Sequence, residues 1–294
     1  MKTTLSTYIE LTKPRITLLV LVTAYLGYYL GLRSQGDHMV SLESWLILFY
    51  LILGTWATSA GAAVLNQVME RRHDAKMART KNRPLVMGKI SPMNALVFGI
   101  SLSLCGYVFL YYLINPLTAW ISAATVLLYI LIYTPSKRIT TWNTIIGSIP
   151  GALPPVGGWV AATGSLAPPA WILFGILFCW QMPHFLAIAI IYAADYEKGG
   201  FKMLPSIYPE SKRTSYVILF FTVALLVTSL GLYILKVGGI LYAVGAALLG
   251  VAFFMVALKV IMESNKKNAR RLMLASIIYL PLLLIIILIE KILR

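Results

Sequence analysis

The chain has 294 residues, of which 59% are hydrophobic and only 12% charged, and its formal charge is +15. With a mean hydropathy of +0.81, this balance excludes a water-soluble domain and points to repeated stretches of about 20 apolar residues, the length that crosses a bilayer as helix. A basic excess in a soluble protein suggests nucleic acid; here topology accounts for it, and nucleic acid is not expected as a partner.

Residues 1–15 are polar, and the first apolar run is long enough to stay as a span, so no cleavable signal is read. Nine spans are predicted, at roughly 16–33, 44–66, 92–113, 117–134, 142–161, 170–193, 214–235, 239–262 and 272–290. The expected architecture is all-α: a polytopic bundle of nine transmembrane helices, one membrane domain over 1–294, around a central cavity that opens to the cytoplasmic side. Placing the N-terminus in the cytoplasm sorts 21 of the 25 Lys and Arg residues to that side, from Lys2 onward, leaving Arg33, Lys236, Lys291 and Arg294 opposite. That bias sets the orientation and predicts a multi-pass protein of the cell (plasma or inner) membrane, with lipid as its solvent. Cys105 and Cys179 lie in apolar runs without metal-ligand spacing and read as packing residues.

After the outer loop at 34–43, the second span ends in Asn66, Glu70 and Asp74. At i, i+4 and i+8 these stack on one helix face, each about 6 Å from the next. Such an oxygen-lined stripe suits Mg²⁺, which shares its shell with water and substrate phosphates. A solvated helix end is the alternative. Arg72, Arg79, Lys81 and Arg83 follow at once, and cations beside acids fit a metal–diphosphate better than a plain surface. His73 is about 100° off the stripe and is left out of the site.

Span 4 ends in Tyr133-Thr134-Pro135-Ser136-Lys137-Arg138, where Lys137 serves either as a diphosphate contact or as a positive-inside anchor. The run 143–158 holds four glycines and three prolines, which allow close helix contact or an irregular helix along a cavity. Within span 6 lies Trp180-Gln181-Met182-Pro183-His184-Phe185. An ionisable residue that deep is a functional candidate; the alternative is a histidine hydrogen-bonded between helices. Pro183 is expected to loosen the helix. Trp180 and Phe185 either line a cavity or simply pack. Asp195 is read as the end of span 6, which puts His184 about 16 Å deeper on nearly the same face. Asp195, Glu197, Lys198 and Lys202 make a second acid-and-base cluster, either another metal and phosphate site or a solvated loop. Gly199 and Gly200 are expected to end the helix there.

The pattern Asn66-x-x-x-Glu70-x-x-x-Asp74-x-x-Met77-x-Arg79-Thr80-x-x-Arg83-Pro84 resembles the first signature of the UbiA-type intramembrane prenyltransferases. Its ending resembles the haem-farnesylating branch of that family. So do Leu11-Thr12-Lys13-Pro14-Arg15, Tyr133-Thr134-Pro135-x-Lys137-Arg138, Gly151-Ala152-x-Pro154-Pro155-x-x-Gly158-Trp159, Trp180-Gln181-x-Pro183-His184-Phe185 and Asp195-Tyr196, in order from about residue 8 to past 205. The wider family commonly has Asp where Glu70 stands. It also tends to carry an acid where Gly199 stands, which leaves the second metal position with fewer acids. The resemblance implies transfer of farnesyl from farnesyl diphosphate to the 2-vinyl group of haem B, with water adding, to give haem O and diphosphate. It implies Mg²⁺ as cofactor, with Asn66, Glu70, Asp74 and Asp195 as ligands. Arg79, Arg83, Lys137 and Lys198 then act on the diphosphate, with Lys202 a looser candidate. His184 and Trp180 are the candidates for haem contact, and a haem A synthase is a candidate recipient of the product. A related prenyltransferase acting on an aromatic quinone precursor is the alternative. A transporter would carry its charges mid-membrane along a pathway, whereas here most cluster at the rim.

Overall fold

The structure is a computed structural model describing residues 4–37, 39–209 and 211–293. Lys2 and Arg294, counted above for orientation, and part of the outer loop at position 38 lie outside the described residues. Among the described residues there are helices and connecting turns and no strands. Nine helices among the described residues are long and apolar enough to cross a membrane, and the chain is a multi-pass membrane protein.

A short helix α1 (Thr4–Leu11) precedes α2 (Pro14–Ser34), the first span. The second span, α3, runs Leu42–Asp74. Span 3 is α4 (Pro92–Leu113). Span 4 is built from α5 (Pro116–Leu127), a π-helical segment (Leu128–Tyr133) and α6 (Thr134–Ile139). Span 5 is split into α7 (Asn143–Ala152) and α8 (Pro154–Thr163). Span 6 is α9 (Pro168–Ile191), followed by the short α10 (Ala193–Lys198) and α11 (Leu204–Ile207). Spans 7 to 9 are α12 (Arg213–Ile234), α13 (Ile240–Met262) and α14 (Lys266–Leu293).

Local chemistry explains these boundaries. Proline opens α2, α4, α5, α8 and α9, where its missing N–H costs nothing. Ser41, Ser91 and Asn115 cap α3, α4 and α5 by accepting from Ser44, Asn94 and Thr118 N–H groups at 3.0, 3.1 and 2.8 Å, as short polar side chains do at helix starts. Gly164 ends α8 at φ 71°, a conformation glycine adopts without cost.

The polar, glycine-rich run is irregular and makes close helix contact. It is interrupted at Leu153, and it brings α8 against α2. A side chain on Gly27 would enter the Pro155 backbone, and one on Gly158 would enter that of Ala24. Without a hydrophobic force between helices in lipid, such close backbone contact is how they hold together. Outward-facing Val97, Leu104, Phe220, Val227, Leu248 and Met255 are exposed and meet lipid.

Three boundaries differ from expectation. Helix α3 continues eight residues past 66, to Asp74, so the stripe stays helical where hydropathy stops reporting. At 33 residues it is about 50 Å long, more than a bilayer core needs. Span 9 begins at Lys266, because Asn265 accepts from Asn268 N–H at 2.8 Å and starts the helix in its charged turns. Span 6 stops at Ile191. Tyr192 leaves helical geometry at φ −109°, ψ 25°, so Asp195 lies on α10, and the shared-face argument with His184 does not hold. Helix α9 itself runs through Pro183 unbroken.

At the opposite end of the bundle from the stripe, Glu290 of α14 is 4% exposed. It accepts from the N–H groups of Gly239, Leu241 and Tyr242 at 2.5, 3.1 and 3.3 Å, capping α13 where the helix dipole favours an anion. Glu290→Ala is expected to cost roughly 2 kcal/mol, read as a lower Tm in detergent, with Glu290→Gln losing less. An unchanged Tm for Glu290→Ala would remove the cap from the account.

Candidate active site

The last turns of α3 carry Asn66, Glu70 and Asp74 on one face, exposed by 1%, 4% and 1%. Each meets a cation from a different part of the chain. Lys13, between α1 and α2, donates from Nζ to Asn66 Oδ1 at 3.0 Å. Lys137 of α6 donates from Nζ to Glu70 Oε1 at 2.8 Å. Arg83, in the turns after α3, donates from Nη1 to Asp74 Oδ2 at 2.5 Å. The stripe is therefore a column of three rungs, and the solvated-end alternative fails because the carboxylates are buried.

Local structure aims each partner. Lys13 sits at φ 48° in a left-handed turn between α1 and Pro14, which opens α2. The π segment of span 4 lets Thr134 turn inward. Its hydroxyl donates to the Tyr129 carbonyl at 2.8 Å and accepts from Asn66 Nδ2 at 3.2 Å. Single π turns inside α-helices are frequent at functional sites. Lys137 Nζ lies 4.5 Å from the Tyr133 ring centre. Thr80 donates to the Asp74 carbonyl at 2.8 Å, which folds the 75–90 turns back onto the helix.

The second cluster joins the first through Arg79. Asp195 Oδ2 accepts from the Arg79 backbone N–H at 3.3 Å. The Arg79 guanidinium lies over the Tyr192 and Tyr196 rings, 5.4 Å from each centre, and donates to the Tyr196 hydroxyl at 3.3 Å. Beneath, Met77, Phe201 and Met203 form a buried apolar pin with Ala189. Lys202 N–H donates to the Lys137 carbonyl at 2.7 Å, and the fully buried Asn143 donates to the Lys202 carbonyl at 2.7 Å. Lys198 and the Lys202 side chain are exposed.

His184 and Trp180 are placed elsewhere, on the face of α9 that meets α14. Trp180 Nε1 donates to the Ser276 carbonyl at 2.8 Å. The rings of Trp180 and His184 stack, 5.0 Å apart and 13° from parallel. His184 Nδ1 lies 2.7 Å from Ser276 Oγ.

The three rungs place three cations against two carboxylates. Burial, and next the charge of Arg83, push the Lys13 ammonium down to about 7. An anion arriving here relieves that strain. Among the described residues, no three His, Cys, Asp or Glu side chains converge as a metal cage. Asp74 Oδ1, however, is buried with no hydrogen-bond partner. A buried carboxylate oxygen left open, next to Glu70 and an amide oxygen, fits an ion that takes only one or two carboxylates and fills its shell with water and phosphate.

Lys13 is the residue that sequence reasoning missed. Its only local signal was the Leu11-Thr12-Lys13-Pro14-Arg15 motif, where it counted as a topology charge.

Lys137→Met is expected to destabilise the fold by about 3–5 kcal/mol, because Glu70 is left as an unpaired buried carboxylate. Lys137→Met combined with Glu70→Leu is expected to recover most of that loss. Thermal unfolding in detergent checks both; a double variant no better than the single one contradicts the pairing.

Against known proteins, residues 20–278 match the UbiA prenyltransferase family. A protein named protoheme IX farnesyltransferase from Solibacter usitatus is 43% identical over 286 residues, covering 97% of this chain and 98% of its own. One of the same name from Koribacter versatilis is 39% identical, covering 97% and 93%. Among solved structures, one concerning a digeranylgeranylglyceryl phosphate synthase superposes with a TM-score of 0.82 at 22% identity, over 99% of both chains. A UbiA homologue from Archaeoglobus fulgidus bound to GPP and Mg²⁺ superposes with a TM-score of 0.70 at 15% identity, over 96% and 99%. Both the length of the match and the identity to its relatives place the chain plainly: it belongs to the UbiA prenyltransferase family.

Proposed function

We propose that this chain transfers the farnesyl group of farnesyl diphosphate to the 2-vinyl group of haem B, with addition of water, giving haem O and diphosphate. The observation that carries the substrate assignment is the 43% identity to a protoheme IX farnesyltransferase over 97% of the chain. The geometry of the polar end supports the chemistry. We read the whole chain as one prenyltransferase domain, with the N-terminus and the site facing the cytoplasm.

The reaction begins when the C1–O bond of farnesyl diphosphate breaks and its electrons leave with the diphosphate. That anion needs fixed positive charge where it develops. Lys13, Arg83 and Lys137 stand there already, short of negative partners. Asn66, Glu70 and Asp74 are the residues that would hold Mg²⁺, which when bound neutralises phosphate charge as a Lewis acid. Asp195 is a further ligand candidate. Arg79 and Lys198, at the rim, are proposed to meet the outer phosphate oxygens. The vinyl π electrons of haem then form the C–C bond to the allylic cation. The resulting cation is quenched by water, which loses a proton and leaves a hydroxyl. Until then, water must be kept from the allylic cation, and we assign that task at the polar end to the buried Met77–Phe201–Met203 cluster.

For haem, Ser276 fixes a tautomer. Its hydroxyl donates to the Met273 carbonyl at 2.6 Å, so its oxygen is left to accept from His184 Nδ1–H. The Nε2 lone pair is then available for iron. A hydrogen bond at the other ring nitrogen is the usual orienting contact of a metal-binding histidine. We therefore keep His184 as the proposed haem ligand and Trp180 as the ring that holds it. A haem A synthase is the proposed recipient of the product.

Purified protein in detergent with haem B, farnesyl diphosphate and Mg²⁺ is expected to form haem O by mass spectrometry; diphosphate release without haem O overturns the assignment. In that assay Asp74→Ala and Asp195→Ala are each expected to lower kcat by at least about 100-fold while folded protein is retained. Normal turnover in either removes that residue from the site. His184→Ala is expected to shift the visible spectrum of bound haem, and an unchanged spectrum and rate ends its role.

A further inference from the structure

His73 precedes Asp74 but points off the column, and its contacts give it a different task. Its Nδ1 lies 2.7 Å from the Gly199 carbonyl oxygen, and its Nε2 lies 3.3 Å from Arg138 Nη1. Its ring rests 5.5 Å from that of Phe201. A carbonyl can only accept and a guanidinium can only donate. The imidazole that satisfies both is the neutral ring with hydrogen on Nδ1 and a lone pair on Nε2. No other side chain offers a donor and an acceptor on opposite edges of one rigid ring. Gly200, at φ 74°, makes the turn that presents the Gly199 carbonyl.

These contacts join three segments: the last turn of α3, the end of α6 beside Lys137, and the loop after α10. Helix α10, which leads into that loop, carries Asp195 and Lys198. The polar ties of α10 to the α3 side, Asp195 to the Arg79 N–H and the Tyr196 hydroxyl to the Arg79 guanidinium, are each long at 3.3 Å and exposed, whereas the histidine bond is short and partly buried.

We propose that His73 is a positioning residue for farnesyl transfer: it latches the 199–203 loop onto α3 and α6, so that the acid and lysine of the preceding α10 meet the prenyl diphosphate bound at the column. This rests on the function proposed above. A latch acts by raising the fraction of protein in the binding-competent form, and apparent affinity scales with that fraction. Its loss therefore falls on farnesyl diphosphate and spares haem.

The test uses the full-length protein in detergent as wild type, His73→Asn, His73→Gln and His73→Leu. Asparagine keeps a donor near the Nδ1 position and so the bond to Gly199. Glutamine reaches toward Arg138 only, and leucine keeps neither. Leucine is expected to raise the KM for farnesyl diphosphate about fivefold or more and to leave the KM for haem B within about twofold. Amide hydrogen exchange at Phe201 and Lys202 is expected to accelerate at least about tenfold, with the spans unchanged. Asparagine is expected to restore both readouts toward wild type and glutamine to restore neither. The proposal is overturned if leucine matches wild type, if both KM values rise together, or if asparagine is as impaired as leucine. Should the leucine variant not fold, asparagine against glutamine decides by the same two readouts. Wild type that makes no haem O defeats the proposed function instead, and the exchange measurement, which needs no substrate, then judges the latch alone.

Discussion

The pairing of Glu70 with Lys137 is the contact on which the polar end of the bundle depends. Removing a carboxylate and an ammonium from water costs several kcal/mol each, and their attraction offsets this only with good geometry. Here the geometry is supplied by two different spans: α3 brings the acid, and the π turn of span 4 brings the lysine. The rung therefore fixes the relation of those spans. The rungs above and below it extend the constraint, since Lys13 commits the segment before α2 and Arg83 commits the turns after α3. Three stretches far apart in sequence converge because each holds the partner that a buried polar group on one helix face requires.

That arrangement stops short of neutrality. A fold selected only for stability would match charge with charge or replace the column with apolar side chains, which is often no worse. This column instead keeps one more cation than it has carboxylates, a lysine held near pKa 7, and a buried carboxylate oxygen without a partner. These are the features of a site completed by something anionic and something cationic together. On the proposed function, a diphosphate with its Mg²⁺ supplies both. The loops above are pinned by apolar side chains and by single hydrogen bonds, a construction that opens more readily than the helices beneath it.

Much of this was legible in the sequence because membrane and column each leave a periodic or continuous signal. All nine spans appear as apolar runs, and the spacing of Asn66, Glu70 and Asp74 announces their shared face. The end of α3 was not legible from hydropathy, because the helix continues into residues that are buried by other segments and not by lipid. The break at Tyr192 has no glycine or proline to mark it. Lys13 and His73 were hidden for one reason. Their partners lie 53 and 126 positions away, and neither residue has a neighbour that predicts them. Of the two readings of His184, the hydrogen bond between helices is present, and its role toward haem belongs to the proposed function.

The central claim is that the column receives a metal–diphosphate, and binding tests it more directly than turnover. Affinity for farnesyl diphosphate would be measured with and without Mg²⁺, for wild type and for Asp74→Asn, which keeps size and removes charge. The account predicts that Mg²⁺ tightens binding to wild type by at least about tenfold, and that Asp74→Asn loses this dependence while its affinity for haem B stays unchanged. A variant that keeps the full Mg²⁺ dependence would contradict it.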